Sequence, residues 1–342
     1  MQSLAVVETS QIGAARRCAS EIATTLGADE AAVGRVAIVA TELATNLIKH
    51  GGGGELLLSS YEQGSAAGVE MIALDRGRGI ANLQECLRDG YSTAGSAGHG
   101  LGAIRRQSQL MEVATWPGVG TAILARVVAN GADAGNAGSR PADIETSQRP
   151  TYGFVAVPKT GEDVCGDACC VVETAVGRTA IVADGLGHGP DAAIAANEAI
   201  RLFRRHQALP VPQILDYLHA GLRATRGAAV AIARFDAGGT KIVYGGIGNI
   251  SGAIMNGPET RRMISLNGTA GHVARRIQTF DYPFNGGVVV MYSDGLQTNW
   301  SLERYPGITR MHPTLFAAVA YRDFARHRDD ATVLVINAGA VA

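Results

Sequence analysis

Aspartates at the ends of apolar segments are the residues of this sequence best suited to bind a metal ion. Asp184 and Asp294 each close an apolar segment and are followed by glycine, whereas Asp167, Asp329 and Asp330 come just before one. Carboxylates brought together at strand ends lose solvation and repel one another unless a cation compensates them. Ligands that are all oxygen favour magnesium or manganese over zinc or copper. The alternative is that these Asp-Gly and Asp-Asp pairs only mark surface turns.

A second set of polar residues lies in the segment TELATNLIKHG. Glu42 and Asn46 are four residues apart and therefore project from one face of a helix. A carboxylate and an amide side by side can hold magnesium and orient a hydroxyl group. The alternative for either residue alone is a solvated helix face.

Glycine-rich segments that can surround a phosphorylated ligand follow this helix. In DRGRGI, Asp75 ends a strand-like segment, and Gly77 and Gly79 let the backbone pass close to a ligand. Three further glycines precede a helical segment, where free amides and the helix dipole favour phosphate. They are Gly98, Gly100 and Gly102. Gly120 and Thr121 open the last strand-like segment of this half.

The sequence is predicted to form two domains joined by a linker. One domain carries Glu42, Asn46 and the glycine-rich segments, and the other carries the aspartates. The linker is the stretch of small and polar residues at 131–150, between a domain at 1–130 and a domain at 151–342. The first half contains two helices followed by a short sheet, which indicates an α/β sandwich. The second half has many strand-like segments with inserted helices, which indicates two sheets covered by helices. Helices are predicted at 12–26, 29–51, 191–206, 212–225 and 314–327, and strands at 55–61, 69–75, 111–116, 121–128, 152–157, 168–173, 179–184, 229–235, 241–244, 251–255, 262–266, 288–293 and 332–337.

The composition is that of a globular protein without a strong overall charge. The 342 residues are 46% hydrophobic and 18% charged, far from the signature of disorder. Thirty Lys and Arg against 31 Asp and Glu leave a net charge of −1, so no general field attracts nucleic acid or an anionic membrane. The 5 cysteines include no zinc-binding CxxC pair, and no apolar run reaches the ~18 residues of a membrane span. We therefore expect a cytoplasmic protein with free thiols that acts on neither nucleic acid nor membranes.

Taken in order, the motifs of the first half resemble the GHKL ATPase family over residues 11–128. Glu and Asn on one helix are followed by DxGxGI, GxGLG and GT, and the narrower resemblance is to bacterial anti-sigma-factor serine kinases. The resemblance implies a Bergerat-type α/β sandwich that binds ATP with magnesium. It implies that Asp75 reads the adenine amino group, that Asn46 holds magnesium and that Glu42 accepts the proton of a substrate serine. The other residues that it assigns to ATP binding are Gly77, Gly79, Gly98, Gly100, Gly102 and Thr121.

The aspartate motifs of the second half resemble the SpoIIE-like branch of the metal-dependent, type 2C-like serine/threonine phosphatases. Strand ends in the order GD, DGxGHG, SDG and DDAT carry this resemblance, which covers residues 152–337. It implies an αββα-layered domain with two manganese or magnesium ions that activate a bridging water. The implied metal ligands are Asp167, Asp184, Asp294, Asp329 and the carbonyl of Gly185. Asp184 is also the implied catalytic residue, and Asp330 is the less favoured member of its pair.

His188 lies in the DGLGHG segment that begins with Asp184. Its imidazole could donate a proton to a leaving group or cap the helix that follows. We favour the cap, because a histidine at this place is also explained by packing.

The two resemblances together imply a bifunctional regulator of the partner-switching type. One half would transfer phosphate from ATP to a protein serine, and the other would remove phosphate from phosphoserine or phosphothreonine. The implied substrates are STAS-type anti-sigma-factor antagonists. Three alternatives remain: a first half that binds ATP and a partner without phosphorylating it, a scaffold whose sites have decayed, and a hydrolase of small phosphate esters.

Overall fold

The computed structural model describes residues 1–86, 100–130, 150–174, 177–256 and 259–337. The chain forms two compact units, Met1–Gln148 and Arg149–Ala342. Gly98 and nearly all of the predicted linker lie outside the described residues. The domain boundaries at 130 and 151 therefore stay a prediction.

The first unit is an antiparallel sheet with helices on one face. Its elements are β1 (Gln2–Val6), α1 (Ser10–Thr25), α2 (Glu30–Gly51), β2 (Gly54–Gln63), β3 (Ala66–Asp75), α3 (Leu83–Cys86), α4 (Gly100–Gln107), β4 (Leu110–Trp116) and β5 (Gly120–Asn130). The sheet has the order β1-β2-β3-β5-β4. Helices α1 and α2 bury residues such as Leu43 and Leu47 against Leu58 and Met71 of the sheet. This is the predicted α/β sandwich, with β1 as a strand that the sequence pattern did not indicate.

Helix α2 positions two of the candidate side chains, and both of its ends are defined by capping. Asp29 accepts a hydrogen bond from the Ala32 amide at 2.7 Å, and Gly52, in the left-handed region, ends the helix. In the described part of the chain, α2 is the one helix long and apolar enough to cross a membrane. The expectation that no segment has that length therefore needs correction. Its apolar face, with Val36 and Leu43, lies in the core of the first unit.

The second unit is a sandwich of two sheets with helices on both outer faces. Its elements are β6 (Tyr152–Val157), β7 (Asp167–Thr174), β8 (Gly177–Gly185), α5 (Pro190–His206), α6 (Val211–Gly221), β9 (Ala228–Phe235), β10 (Lys241–Ile247), β11 (Ser251–Asn256), β12 (Glu259–Met263), β13 (Thr279–Pro283), β14 (Val288–Tyr292), α7 (Pro313–Phe324) and β15 (Ala331–Asn337). The sheets have the orders β13-β10-β9-β8-β7 and β12-β11-β14-β15-β6. Residues such as Val182 and Leu334 fill the space between them. Helices α5 and α6 cover the first sheet and α7 packs on β6 and β15, which is the predicted αββα arrangement.

Some helices and strands end at other residues than predicted, because their backbone groups form hydrogen bonds with residues that are distant in sequence. Helix α7 ends at Phe324 instead of 327, because the Arg326 amide donates to the carbonyl of Gly295 at 2.8 Å. Strand β13 was not predicted, and the strand predicted at 262–266 lies at Glu259–Met263. The 5 cysteines are free, as predicted.

Candidate metal centre and nucleotide pocket

Strands β7 and β8 bring two of the predicted metal ligands together. Asp167 begins β7, Asp184 lies one residue before the end of β8, and the two are direct partners across the antiparallel pair. Ser293, directly after β14, donates its hydroxyl to Asp167 Oδ2 at 2.6 Å and accepts the Thr332 amide at 3.0 Å. These bonds tie the aspartate pair to the second sheet.

The other two predicted ligands flank strands of the second sheet. Asp294 Oδ2 accepts a hydrogen bond from the Asn249 side chain at 2.7 Å. Asp329 is half-buried, and its Oδ1 accepts the Asp330 backbone amide at 3.0 Å. Asp330 is buried, and its own Oδ1 accepts the Lys159 amide at 2.9 Å, so it holds a neighbouring loop in place. Asp330 thus has an observed structural role, while Asp329 as a metal ligand stays a prediction.

Burial and the charges of neighbouring carboxylates raise the pKa of Asp167, Asp184 and Asp294. Burial has the largest effect on the pKa of Asp184, and the charges of Asp167, Asp294, Asp329 and Asp330 raise it further. Burial is also the largest cause of the raised pKa of Asp167 and of Asp294. Such a group of carboxylates is a negative centre that a cation would stabilise.

The donor set fits a hard divalent cation by its chemistry. It consists of four carboxylates and one backbone carbonyl, which are the ligands that magnesium and manganese prefer. Among the described residues, no three Asp, Glu, His or Cys side chains lie close enough to share one ion. The chemistry of the donor set fits a cation at this end of the sandwich, but the described side chains do not converge on one position, so the metal site and its individual ligands stay predictions.

The backbone after Asp184 is tightly packed. The Gly185 amide donates to the Gly166 carbonyl at 3.1 Å, and a Cβ on Gly185 would overlap the carbonyl oxygen of Ala192 in α5. Only glycine therefore fits where β8 meets α5. The use of its carbonyl as a metal ligand stays a prediction.

His188 does not cap the helix that follows it. The N-cap of α5 is Gly189, and no side chain caps that end. The imidazole Nδ1 lies instead 2.7 Å from Oε1 of Glu162. The expected cap is therefore wrong, because a carboxylate 26 residues earlier in the chain provides the stronger partner.

In the first unit, α2 and the start of α4 bring Glu42, Asn46 and Gly100 together. A Cβ on Gly100 would lie 3.2 Å from Glu42 Oε2 and 3.3 Å from Asn46 Oδ1. In the described part of the chain, Asn46 Nδ2 is buried without a hydrogen-bond partner. A buried amide without a partner is costly, which fits a place where a ligand oxygen binds. Gly102 is buried in α4, two residues after Gly100.

Asp75 ends β3, and its side chain accepts hydrogen bonds from the glycine segment that follows and from β5. Its Oδ1 accepts the Gly77 amide at 2.8 Å and the Thr121 amide at 3.1 Å. A Cβ on Gly77 would lie 2.8 Å from the His50 carbonyl oxygen, and Gly79 has a φ of +70°. These predicted residues thus meet at one end of β3. Their contact with adenine and phosphate stays a prediction.

Three polar residues of the metal centre were not predicted from the sequence. Asn249 lies in the segment GNISG at 248–252, and Ser293 is the first residue of SDG at 293–295, so a polar residue near a glycine was the available signal. Glu162 has no such signal, because its partner His188 is distant in sequence.

Comparison with known proteins assigns a family to each half. The model of the "Histidine kinase-like ATPase domain" matches residues 6–127, and the model "Stage II sporulation protein E (SpoIIE)" matches residues 177–338. The serine/threonine-protein kinase RsbT of Bacillus subtilis (strain 168) is 31% identical over 114 residues, which is 33% of this chain and 86% of RsbT. A solved chain described under "The bacterial stressosome: a modular system that has been adapted to control secondary messenger signaling" is 27% identical. The match covers 54% of this chain and 97% of that one, with a TM-score of 0.50. The chain therefore belongs to the histidine kinase-like ATPase family, with its ATPase domain fused to a SpoIIE-type phosphatase domain.

Proposed function

We propose that this chain is a bifunctional partner-switching regulator that acts in the cytoplasm. Its second unit removes phosphate from phosphoserine or phosphothreonine of a STAS-type anti-sigma-factor antagonist or a similar regulatory protein. Its first unit transfers phosphate from ATP to a protein serine. The observation that carries the proposal is the direct pairing of Asp167 with Asp184, within electrostatic reach of Asp294 and Asp329.

The second unit would hold two manganese or magnesium ions. The residues that would bind them are Asp167, Asp184, Asp294, Asp329 and the carbonyl of Gly185. Bound ions of this kind lower the pKa of a water molecule and stabilise the phosphate oxygens during attack. The chain itself orients the carboxylates: Ser293 donates to Asp167, and Asn249 donates to Asp294. Partners of this kind fix the direction of a metal ligand and tune its affinity.

The first unit would position ATP and a substrate hydroxyl side by side. Phosphoryl transfer needs positioning and charge neutralisation more than covalent help, so a magnesium ion and one base can suffice. Asn46 would hold magnesium, and Glu42 would accept the proton of the serine. The short approach of Gly100 to both side chains supports this arrangement, because the amides at the start of α4 are then close to the same place.

A second candidate for the first unit is ATP binding and partner binding without phosphotransfer. The name and the 31% identity of RsbT, a serine/threonine-protein kinase, favour transfer. Glu42 distinguishes the two candidates, since a pure binding module has no use for a base beside the magnesium residue. The partner-switching role is supported by the same relative and by the stressosome chain.

The first test is the hydrolysis of a phosphoserine protein substrate by the purified chain with manganese, magnesium or a chelator. Turnover that requires metal and is lost in Asp184→Asn is the expected result. A phosphorylated STAS-domain protein, a phosphoserine peptide and a small phosphate ester are compared as substrates. Turnover of the small ester alone would favour a metabolic hydrolase, and no turnover of any substrate with either metal would favour a decayed scaffold.

A further inference from the structure

The loop between α7 and β15 carries an arginine to the candidate metal centre. Two backbone hydrogen bonds join the end of α7 to the segment that follows Asp294. The Arg326 amide donates to the Gly295 carbonyl at 2.8 Å. The Gln297 amide donates to the Phe324 carbonyl at 2.9 Å. The backbone of Arg326 is therefore fixed beside the residue that comes directly after Asp294.

The backbone turns sharply directly after Arg326. His327 has a φ of +55°, and within the described residues it is the one residue other than glycine with a positive φ. The left-handed region is costly for such a residue, so it persists only where the surroundings hold it. The ring of His327 packs edge-on against Tyr321, with 5.8 Å between the ring centroids, and its carbonyl accepts the Thr160 hydroxyl at 3.4 Å. The conformation of this loop is therefore defined by contacts with α7 and with the loop after β6.

The charge of Arg326 acts on a predicted metal ligand, although its side chain has no bonded partner. Burial raises the pKa of Asp294 most, the charge of Asp329 raises it further, and the charge of Arg326 lowers it. Asp294 Oδ2 accepts its hydrogen bond from Asn249 instead. Arg326 is exposed, and in the described part of the chain its side chain makes no hydrogen bond or ion pair. Its guanidinium is therefore available to an anion that enters the centre.

The charge balance of the centre calls for such a cation. In the proposed function four aspartates bind two divalent ions, so their negative charges cancel the positive charges of the ions. Asp330 is buried within electrostatic reach of Asp184 and adds another carboxylate. The loaded centre would therefore have no excess positive charge, whereas a phosphoserine side chain carries about −1.5 to −2 at pH 7. A guanidinium at the edge of the centre attracts this anion and can donate two parallel hydrogen bonds to its oxygens.

Resting on the proposed phosphatase function, we propose that Arg326 binds the phosphate group of the phosphoserine substrate. Its guanidinium donates to the phosphoryl oxygens, so Arg326 is a substrate-binding residue. The alternative role is to offset the charge of Asp294 in the protein without metal. The two roles differ in their consequences, because only the first makes phosphate affinity depend on the guanidinium.

Inorganic phosphate and a phosphoserine peptide test the proposal on the full chain in the presence of magnesium. Arg326→Gln should weaken phosphate binding, measured by calorimetry, by about 10- to 100-fold, the usual cost of losing a hydrogen bond to a charged group. KM for the peptide should rise by a similar factor, with a smaller change in kcat. Arg326→Lys should lose less, since it keeps the charge but not the paired hydrogen bonds. These variants differ only in the second unit, so any phosphate that binds to the first unit contributes equally to all of them.

Arg328→Gln is the matched control, because Arg328 is an exposed arginine of the same loop on the other side of His327. It should bind phosphate and hydrolyse the peptide as the wild type does. The manganese affinity of Arg326→Gln should not decrease, since the substitution removes a cation near the predicted ligands. Equal phosphate affinity in Arg326→Gln and the wild type, or the same loss in Arg328→Gln, would overturn the proposal. A lower melting temperature of Arg326→Gln without metal, with phosphate affinity unchanged, would show that Arg326 only offsets the charge of Asp294.

Failure of the proposed phosphatase function gives a different result. In that case the wild type hydrolyses no phosphoserine substrate with magnesium or manganese, while the phosphate titration still compares Arg326→Gln with the wild type. A difference of about 10-fold or more in phosphate affinity would then support the binding role without the activity. Equal affinity would overturn the binding role as well.

Discussion

Asp167 and Asp184 face each other directly across the antiparallel strands β7 and β8. Asp167 is buried and Asp184 is half-buried; burial is the largest cause of the raised pKa of each, and the charge of Asp167 raises the pKa of Asp184 further. Two carboxylates in this position repel each other, and a cation between them removes that cost. This pair is the strongest structural sign of a metal centre.

Replacement of Asp184 by Asn should separate the two activities. We expect Asp184→Asn to lose phosphatase turnover, because it loses a metal ligand, and to bind ATP as the wild type does, because the nucleotide residues lie in the other unit. In the presence of chelator, the variant should melt no lower than the wild type, since the amide removes a repelled charge. Phosphate release, ATP titration and scanning calorimetry measure the three results. Loss of ATP binding would contradict the separation of the two sites.

The neighbours Asp329 and Asp330 should respond differently to the same substitution. Asp330→Asn keeps an oxygen that can accept the Lys159 amide, so manganese affinity should change little. Asp329→Asn should weaken manganese binding by more than the ~10–100-fold typical for the loss of an outer partner of a ligand. Manganese titration of both variants measures the difference. The reverse order would show that Asp330 is the ligand.

A good part of the fold was predictable from local patterns, because the apolar segments that end in Asp184 and Asp294 form buried strands. Strand β1 was missed, since its burial depends on pairing with β2, which no local pattern encodes. The contact between Glu162 and His188 was missed for the same reason, and the helix cap predicted for His188 was wrong. Sequence motifs thus indicated which residue types assemble, while the partners that orient them depend on long-range packing.

Glu42 and Asn46 share one face of α2, yet their substitution should have different effects. Glu42→Ala should leave ATP affinity unchanged and abolish phosphate transfer to a protein serine, because it removes the base but no ATP ligand. Glu30→Ala, at the exposed first turn of the same helix, is the matched control and should preserve transfer. Transfer of labelled phosphate from ATP, together with ATP titration, measures both. Unchanged transfer by Glu42→Ala would exclude Glu42 as the base.

Asn46→Ala should instead weaken ATP binding without destabilising the free protein. In the described part of the chain, the Asn46 Nδ2 atom is buried and makes no hydrogen bond that the substitution could break. Removal of a buried amide that has no hydrogen-bond partner stabilises the folded state by about 1–3 kcal/mol. This gain offsets the destabilisation caused by the small cavity that alanine leaves. ATP affinity and the melting temperature without nucleotide test this. A clear decrease in melting temperature would mean that the side chain is structural.

Gly185→Ala should destabilise the second unit far more than an alanine at a glycine whose Cβ position is open. The added Cβ would overlap the Ala192 carbonyl oxygen, so α5 must move away from β8, and with it the backbone next to Asp184. We expect a loss of at least about 3 kcal/mol, the upper range for an overpacked site, together with weaker manganese binding. Gly239→Ala is the control, because Gly239 has a φ of +62° but no atom near its Cβ position, and it should cost only about 1 kcal/mol of backbone strain. Urea unfolding of both variants compares the two costs. Equal destabilisation would mean that the contact between β8 and α5 does not set the requirement for glycine at this position.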